Sequence, residues 1–149
     1  MAEACEFARA VAGAVLARMA ADGGPRWTVL DASPSEGSST PPTAPSGVVH
    51  VRITAGSAPS SPDVVAVYFT TGVPGADAVV ATASQLQDHA IEATGGTPLP
   101  ACPGHGHPLT ARVLDGDAYW VCPHEPAHHR DRILPLAVDA PAAQRGRAH

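Results

Sequence analysis

The chain contains no lysine and no asparagine, and only two each of Trp, Tyr and Phe among its 149 residues. With so few large rings, a core must be assembled from Val, Leu and Ala and will be modest in bulk. No apolar run approaches the ~18 residues that a membrane-spanning helix requires. Without lysine there can be no glycine-rich phosphate loop of the kind that ends in one, and no G-x-S-x-G nucleophile elbow occurs. Positive charge is scarce: nine arginines face fourteen acidic residues, for a formal charge of −5, and none lies between Arg52 and Arg112. That balance argues against a general nucleic-acid binder, which needs a basic stripe to displace counterions. Arg130 and Arg132 make the one local basic cluster inside the expected fold, and Arg145 and Arg147 belong to an expected tail.

Proline and glycine, by contrast, are plentiful, at sixteen and fourteen residues. They imply long loops around a small core, and such a scaffold gains from a covalent or metal clasp. The length fits one domain. At the start of the chain Glu3 and Glu6 stand where an export signal wants positive charge, and Arg9 and Arg18 interrupt the next stretch, so the expected location is cytoplasmic. In a reducing compartment, cysteines beside histidines read as metal ligands rather than as a disulfide framework. The exclusive use of Arg, the lack of Asn and the confinement of Ile to positions 53, 91 and 133 point to a GC-rich bacterial origin.

Periodicity sets out the elements. Residues 2–21 read as a helix with Phe7, Val11, Val15 and Met19 on one face, stopped by Gly23-Gly24-Pro25. Residues 27–32 make a short first strand, and 33–46 a flexible loop by composition. VVHVRIT at 48–54 and VVAVYFT at 64–70 alternate as two strands, joined through 55–62 as an antiparallel pair, with His50 facing outward. A second helix runs to Thr94, starting either at a Ser84/Gln87 capping box or from Asp77. Residues 109–121 form a hairpin about Asp115-Gly116, and 133–138 a return strand. The expected class is α+β: a small antiparallel sheet with two packed helices in the order α-β-β-β-α, followed by a zinc-ribbon-like hairpin. In outline, 1–97 is the α+β core, 98–139 the metal-clasped hairpin and return strand, and 140–149 a disordered tail.

The chemistry concentrates in one stretch. Five of the eight histidines and two of the three cysteines fall within residues 102–129. They run as Cys102-Pro-Gly-His105-Gly-His107-Pro, the hairpin, Trp120-Val-Cys122-Pro-His124, and then His128 and His129. A tetrahedral zinc site needs two ligand pairs, each presented by a tight turn. Cys-Pro-Gly-His is such a turn, since proline fixes φ and glycine lets the backbone curl. Cys122-Pro123-His124 offers a second, and the hairpin brings the two together. A standard ribbon has C-x2-C on both sides, whereas here the turns are C-x2-H and C-x-H. The fourth ligand therefore lies among His107, His124 and His128, with a preference for His107. A disulfide between Cys102 and Cys122, free thiols, or a catalytic metal with an open position are the alternatives. The string His124-Glu125-Pro-Ala-His128 formally matches the H-E-x-x-H protease signature, but Pro126 costs the required helix ~3 kcal/mol.

The run CPGHGHPLTARVLDGDAYWVCP resembles a zinc-knuckle-like segment, CPGHxHP…WxCP, of short proteins from GC-rich bacteria. The resemblance covers about twenty-two residues, here 102–123. It implies Cys102, His105, His107 and Cys122 as the ligand set and implies no activity. The function expected from the residues is a small protein with structural zinc, serving as a protein-interaction or adaptor module. A zinc-dependent hydrolase with Glu125 as base is one alternative. A nucleic-acid-associated module using Arg112, Arg130 and Arg132 is the other. Another protein is the expected partner; a membrane is not.

Overall fold

The structure, a computed structural model, describes residues 2–35, 47–54, 64–125, 127–135, 138, 140 and 141. Residues 36–46 of the expected loop 33–46, the connection 55–62 and residues 142–149 of the expected tail 140–149 lie outside the described residues.

Helix α1 (Ala2–Ala21) buries Phe7, Val11, Val15 and Met19 together with Ala8, Ala12 and Leu16. It ends in a Schellman motif: the Gly24 N–H donates to the Met19 carbonyl and the Gly23 N–H to Ala20, with Gly23 at φ +90°. Three antiparallel strands lie side by side in chain order, β1 (Thr28–Pro34), β2 (Val48–Thr54) and β3 (Val64–Thr70). The first begins one residue later than the sequence suggests and runs two residues further. A bulge between Val29 and Asp31 shifts its register against β2 by one residue. Val49, Val51 and Ile53 face the helices with Val67 and Phe69, and Phe7 meets the Phe69 ring edge-on at 5.5 Å. On the opposite face His50 stacks on Tyr68 at 5.2 Å.

Helix α2 spans Gly75–Ala93 and begins straight after Pro74, with no side-chain cap. Pro74 sits at φ −54° and ψ 145°, an extended residue that launches the helix without help from Asp77 or Ser84. Those two residues lie inside the helix. A second Schellman motif ends it, with Gly96 donating to Ile91 and Gly95 to Glu92. Gln85 reaches from α2 to the rim of the sheet, accepting from the Tyr68 N–H and donating to the Tyr68 carbonyl at 3.0 and 2.8 Å. Its amide thereby occupies backbone groups that would otherwise invite another strand.

A second antiparallel sheet comprises β4 (Thr110–Leu114), β5 (Asp117–Val121) and β6 (Arg130–Arg132). The β4–β5 turn has positive φ at both central residues, Asp115 (52°) and Gly116 (84°), as an Asp-Gly hairpin requires. The return strand lies at 130–132 rather than 133–138. The Ile133 N–H still donates to Ala118, but the chain bends at Ile133-Leu134, just before Pro135, which has no N–H to continue the ladder. Trp120 (1% exposed), Leu99 and Leu109 join the residues of α1, α2 and the first sheet in a common core. α2 packs against β3, β4 and β5, so both sheets rest on it.

Candidate metal centre

Two loops meet at one end of the second sheet. The first, residues 101–108, precedes β4 and is closed by an antiparallel bridge between Ala101 and Pro108. Within it the His105 N–H donates to the Cys102 carbonyl at 3.1 Å, with Pro103 and Gly104 (φ +78°) at the centre of the turn. Proline followed by a positive-φ glycine is the type II signature, so the composition of Cys-Pro-Gly-His dictates its shape. The Cys102 N–H donates to the His107 carbonyl, folding the loop back on itself. The second loop, 122–129, joins β5 to β6 and is tied by the Cys122 N–H to the His129 carbonyl at 3.2 Å.

These loops bring four donors together. One ligand atom each from Cys102, His105, His107 and Cys122 lies within 4.8 Å of the others. His105 Nδ1 is 3.5 Å from the Cys102 sulfur and 3.7 Å from that of Cys122, and His107 Nε2 is 3.9 Å from Cys122. A tetrahedral ion bound at ~2.3 Å to sulfur and ~2.05 Å to nitrogen sets an S-to-N edge of about 3.6 Å. The observed separations bracket that edge. Both cysteines are buried against the core, whereas His105 is exposed, so thiols form the floor of the site and imidazoles its roof. Both are free thiols; no disulfide joins them.

Further hydrogen bonds orient these donors. The His107 Nδ1–H donates to the Pro108 carbonyl at 3.2 Å, which selects the tautomer with Nε2 free toward Cys122. Gln87 of α2 is buried, and its amide nitrogen donates to the carbonyls of Leu99 and Leu109 at the two ends of the first loop. A polar chain reaches both loops from the end of α1. The Ala101 N–H donates to Asp22, Arg18 bonds Asp22 and Asp131, and His129 Nε2 lies 2.7 Å from Asp131. His129 stands out in the sequence only as one of the clustered histidines, and none of Gln87, Asp22, Arg18 or Asp131 stands out as part of a site. Gln87 reads there as half of a capping box with Ser84.

The electrostatics reflect this crowding. Burial, and then the neighbouring Cys122 thiol, push the Cys102 thiol above its ordinary value. Desolvation, with the rings of His128, His107 and His124 behind it, holds His105 below its ordinary value. Burial alone would raise Asp131, but the hydrogen bonds from His129 and Arg18 outweigh it and leave the carboxyl lowered.

His124 is not one of the four clustered residues; its ring meets His107 edge-on at 4.7 Å. It lines a surface depression with Glu125, His105 and His107. His124, Glu125 and His128 lie in the loop between β5 and β6, not on a helix, so the H-E-x-x-H string lacks the geometry of a protease helix. Among the described residues no helix is long and apolar enough to cross a membrane. Comparison with protein-family models, curated proteins and solved structures found no match to the chain.

Proposed function

We propose that this chain is a small zinc-binding protein in which the metal is structural and holds a surface for another protein, as an interaction or adaptor module. The observation that carries the reading is the shared distance of His105 Nδ1 from two buried cysteine sulfurs, 3.5 and 3.7 Å. Two thiolates with two imidazoles suit zinc, which has no geometric preference of its own and accepts such mixed sets readily. Four protein donors would close the coordination sphere, as structural sites do. Zinc would then secure a loop pair that has few large apolar side chains of its own. Free thiols at the floor favour a reducing, cytoplasmic location, and the CPGHxHP…WxCP resemblance favours the same four ligands.

The outer face of the second sheet is the surface we assign to the partner. Arg112, Tyr119 and Arg132 stand in one cross-strand row, and the Arg130 guanidinium lies 5.3 Å from the Tyr119 ring centroid. A ring flanked by arginines is a common anchor at protein interfaces. The same row favours the nucleic-acid reading, which predicts salt-sensitive retention of the protein on single-stranded DNA or RNA. A hydrolase reading draws on Glu125 beside the imidazoles, and would require a water in place of one of the four ligands.

The test is metal analysis of the purified full chain, with melting temperature recorded before and after chelation. One equivalent of zinc, and a large fall in melting temperature on its removal, are expected. Metal loss without a change in melting temperature would overturn a structural role.

A further inference from the structure

We propose that His128 is a stand-in ligand for His105, so that one metal ion can be held by Cys102, Cys122, His107 and either of the two rings. This inference rests on the metal-centre reading above and goes beyond its set of four ligands.

Three observations converge. His128 Nδ1 lies 3.7 Å from the Cys102 sulfur, against 3.5 Å for His105 Nδ1. Both rings thus aim the same nitrogen at the same thiol, at the edge length of about 3.6 Å expected for a shared tetrahedral ion. The two rings stack at 4.3 Å between centroids and 26° between planes, so they stand side by side. Exchange of one nitrogen for the other calls for a shift on the order of the 4.3 Å between the two ring centroids, His105 moving out as His128 moves in. The His128 main chain is fixed beneath this arrangement, because its N–H donates to the Glu125 carbonyl at 2.8 Å. The Cys122 N–H to His129 bond ties the other side of the same loop.

His107 has no equivalent reserve among the described residues. Its Nδ1 is engaged by Pro108, and its neighbour His124 meets it edge-on, at 83° between ring planes, rather than stacked alongside it. The centre is therefore asymmetric, with one fixed imidazole and one exchangeable pair. The chemical consequence is a path for metal exchange. His105, exposed on its turn, can leave the ion as His128 takes its place, so that the coordination number stays at four while the His105 side of the site opens to an incoming soft donor such as a thiol. The chain's H-E-P-A-H string then has a use that needs no helix: it delivers His128 to the thiol.

Cobalt(II) titration of the full chain tests this, read by the visible bands of tetrahedral cobalt and the sulfur-to-metal charge-transfer absorption. The variants are His105→Ala, His128→Ala, His107→Ala and the double variant lacking both His105 and His128. Each single change at 105 or 128 is expected to keep one equivalent of tetrahedral cobalt, with affinity lowered about tenfold or less. The double variant is expected to lose a further hundredfold or more, and His107→Ala to fall as far as the double variant. Full loss in His105→Ala alone would overturn the proposal while leaving the metal centre standing. A wild-type chain that gives no tetrahedral cobalt signal would overturn both. Far-UV circular dichroism monitors folding, and His105→Gln keeps the bulk of the side chain. If neither variant at 105 folds with metal present, the stand-in has failed and the proposal falls.

Discussion

The side-chain nitrogen of Gln87 lies 3.0 Å from the carbonyl oxygen of Leu99 and donates to it from inside the core. The same nitrogen donates to Leu109, so one amide on α2 spans the base of the loop that carries Cys102, His105 and His107. Replacing it with leucine would leave two buried carbonyls without this donor, at a cost of roughly 1–3 kcal/mol each. Gln87→Leu is therefore expected to lower unfolding free energy by about 2–4 kcal/mol in urea titration of the metal-loaded protein. A change within about 0.5 kcal/mol would show that the clamp contributes nothing.

Thr82 makes the opposite case. Its hydroxyl is buried in α2 and has no hydrogen-bond partner among the described residues. An unsatisfied buried group costs about 1–3 kcal/mol, and valine fills the same shape without it. Thr82→Val is expected to stabilise by about 1 kcal/mol, seen as a rise of roughly 3–5 °C in melting temperature. A fall of similar size would mean that the hydroxyl has a partner after all.

Gly24 is expected to resist substitution. A Cβ there would stand 2.6 Å from the Met19 carbonyl oxygen and 3.0 Å from a Leu99 methyl, and the first of these is backbone that cannot turn aside. It also carries the N–H that closes the α1 Schellman motif. Gly24→Ala is expected to cost about 1–3 kcal/mol, the range for forced overpacking, whereas Gly13→Ala meets nothing within 4 Å and should stabilise the helix. Parallel thermal melts of the two variants would separate these effects.

Three features decided what could be read from the sequence. Helix α1 and strands β2 and β3 emerge from periodicity, because each buries one face and the apolar residues keep that period. The β4–β5 hairpin emerges from Asp115-Gly116, whose turn type needs positive φ at both positions. The cysteines and histidines of 102–122 are conspicuous because donors must be close in sequence to share a turn. The supports of that site are not legible. Asp22 reaches Ala101 across 79 residues and Arg18 reaches Asp131 across 113, and no local pattern encodes such pairs. The start of α2 is misplaced by sequence reasoning for a related cause. Ser84 and Gln87 imitate a cap, yet both lie within the helix, and the Gln87 amide serves the loop beyond it.

The first sheet supplies a pH dependence. Asp31 accepts hydrogen bonds from Arg52 Nε at 3.0–3.1 Å, and this pairing holds its carboxyl below the ordinary aspartate value. A carboxyl with a lowered folded-state pKa adds stability that is present above the unfolded value of about 3.9 and is lost as pH falls through the folded one. The stability difference between wild type and Asp31→Asn should accordingly be constant near neutrality and shrink only below about pH 4. The pair is more than a third exposed, so the difference will be small and will diminish further at high salt. An effect that grows on acidification would contradict the assignment.

X-ray absorption at the zinc edge of the purified full chain probes the metal centre most directly. The expected first shell holds two sulfurs at ~2.3 Å and two imidazole nitrogens at ~2.05 Å. Both sulfur distances should disappear when Cys102 and Cys122 are changed to serine. A shell built only from nitrogen and oxygen, or sulfur scattering that survives both changes, would contradict a centre clasped by these two thiolates.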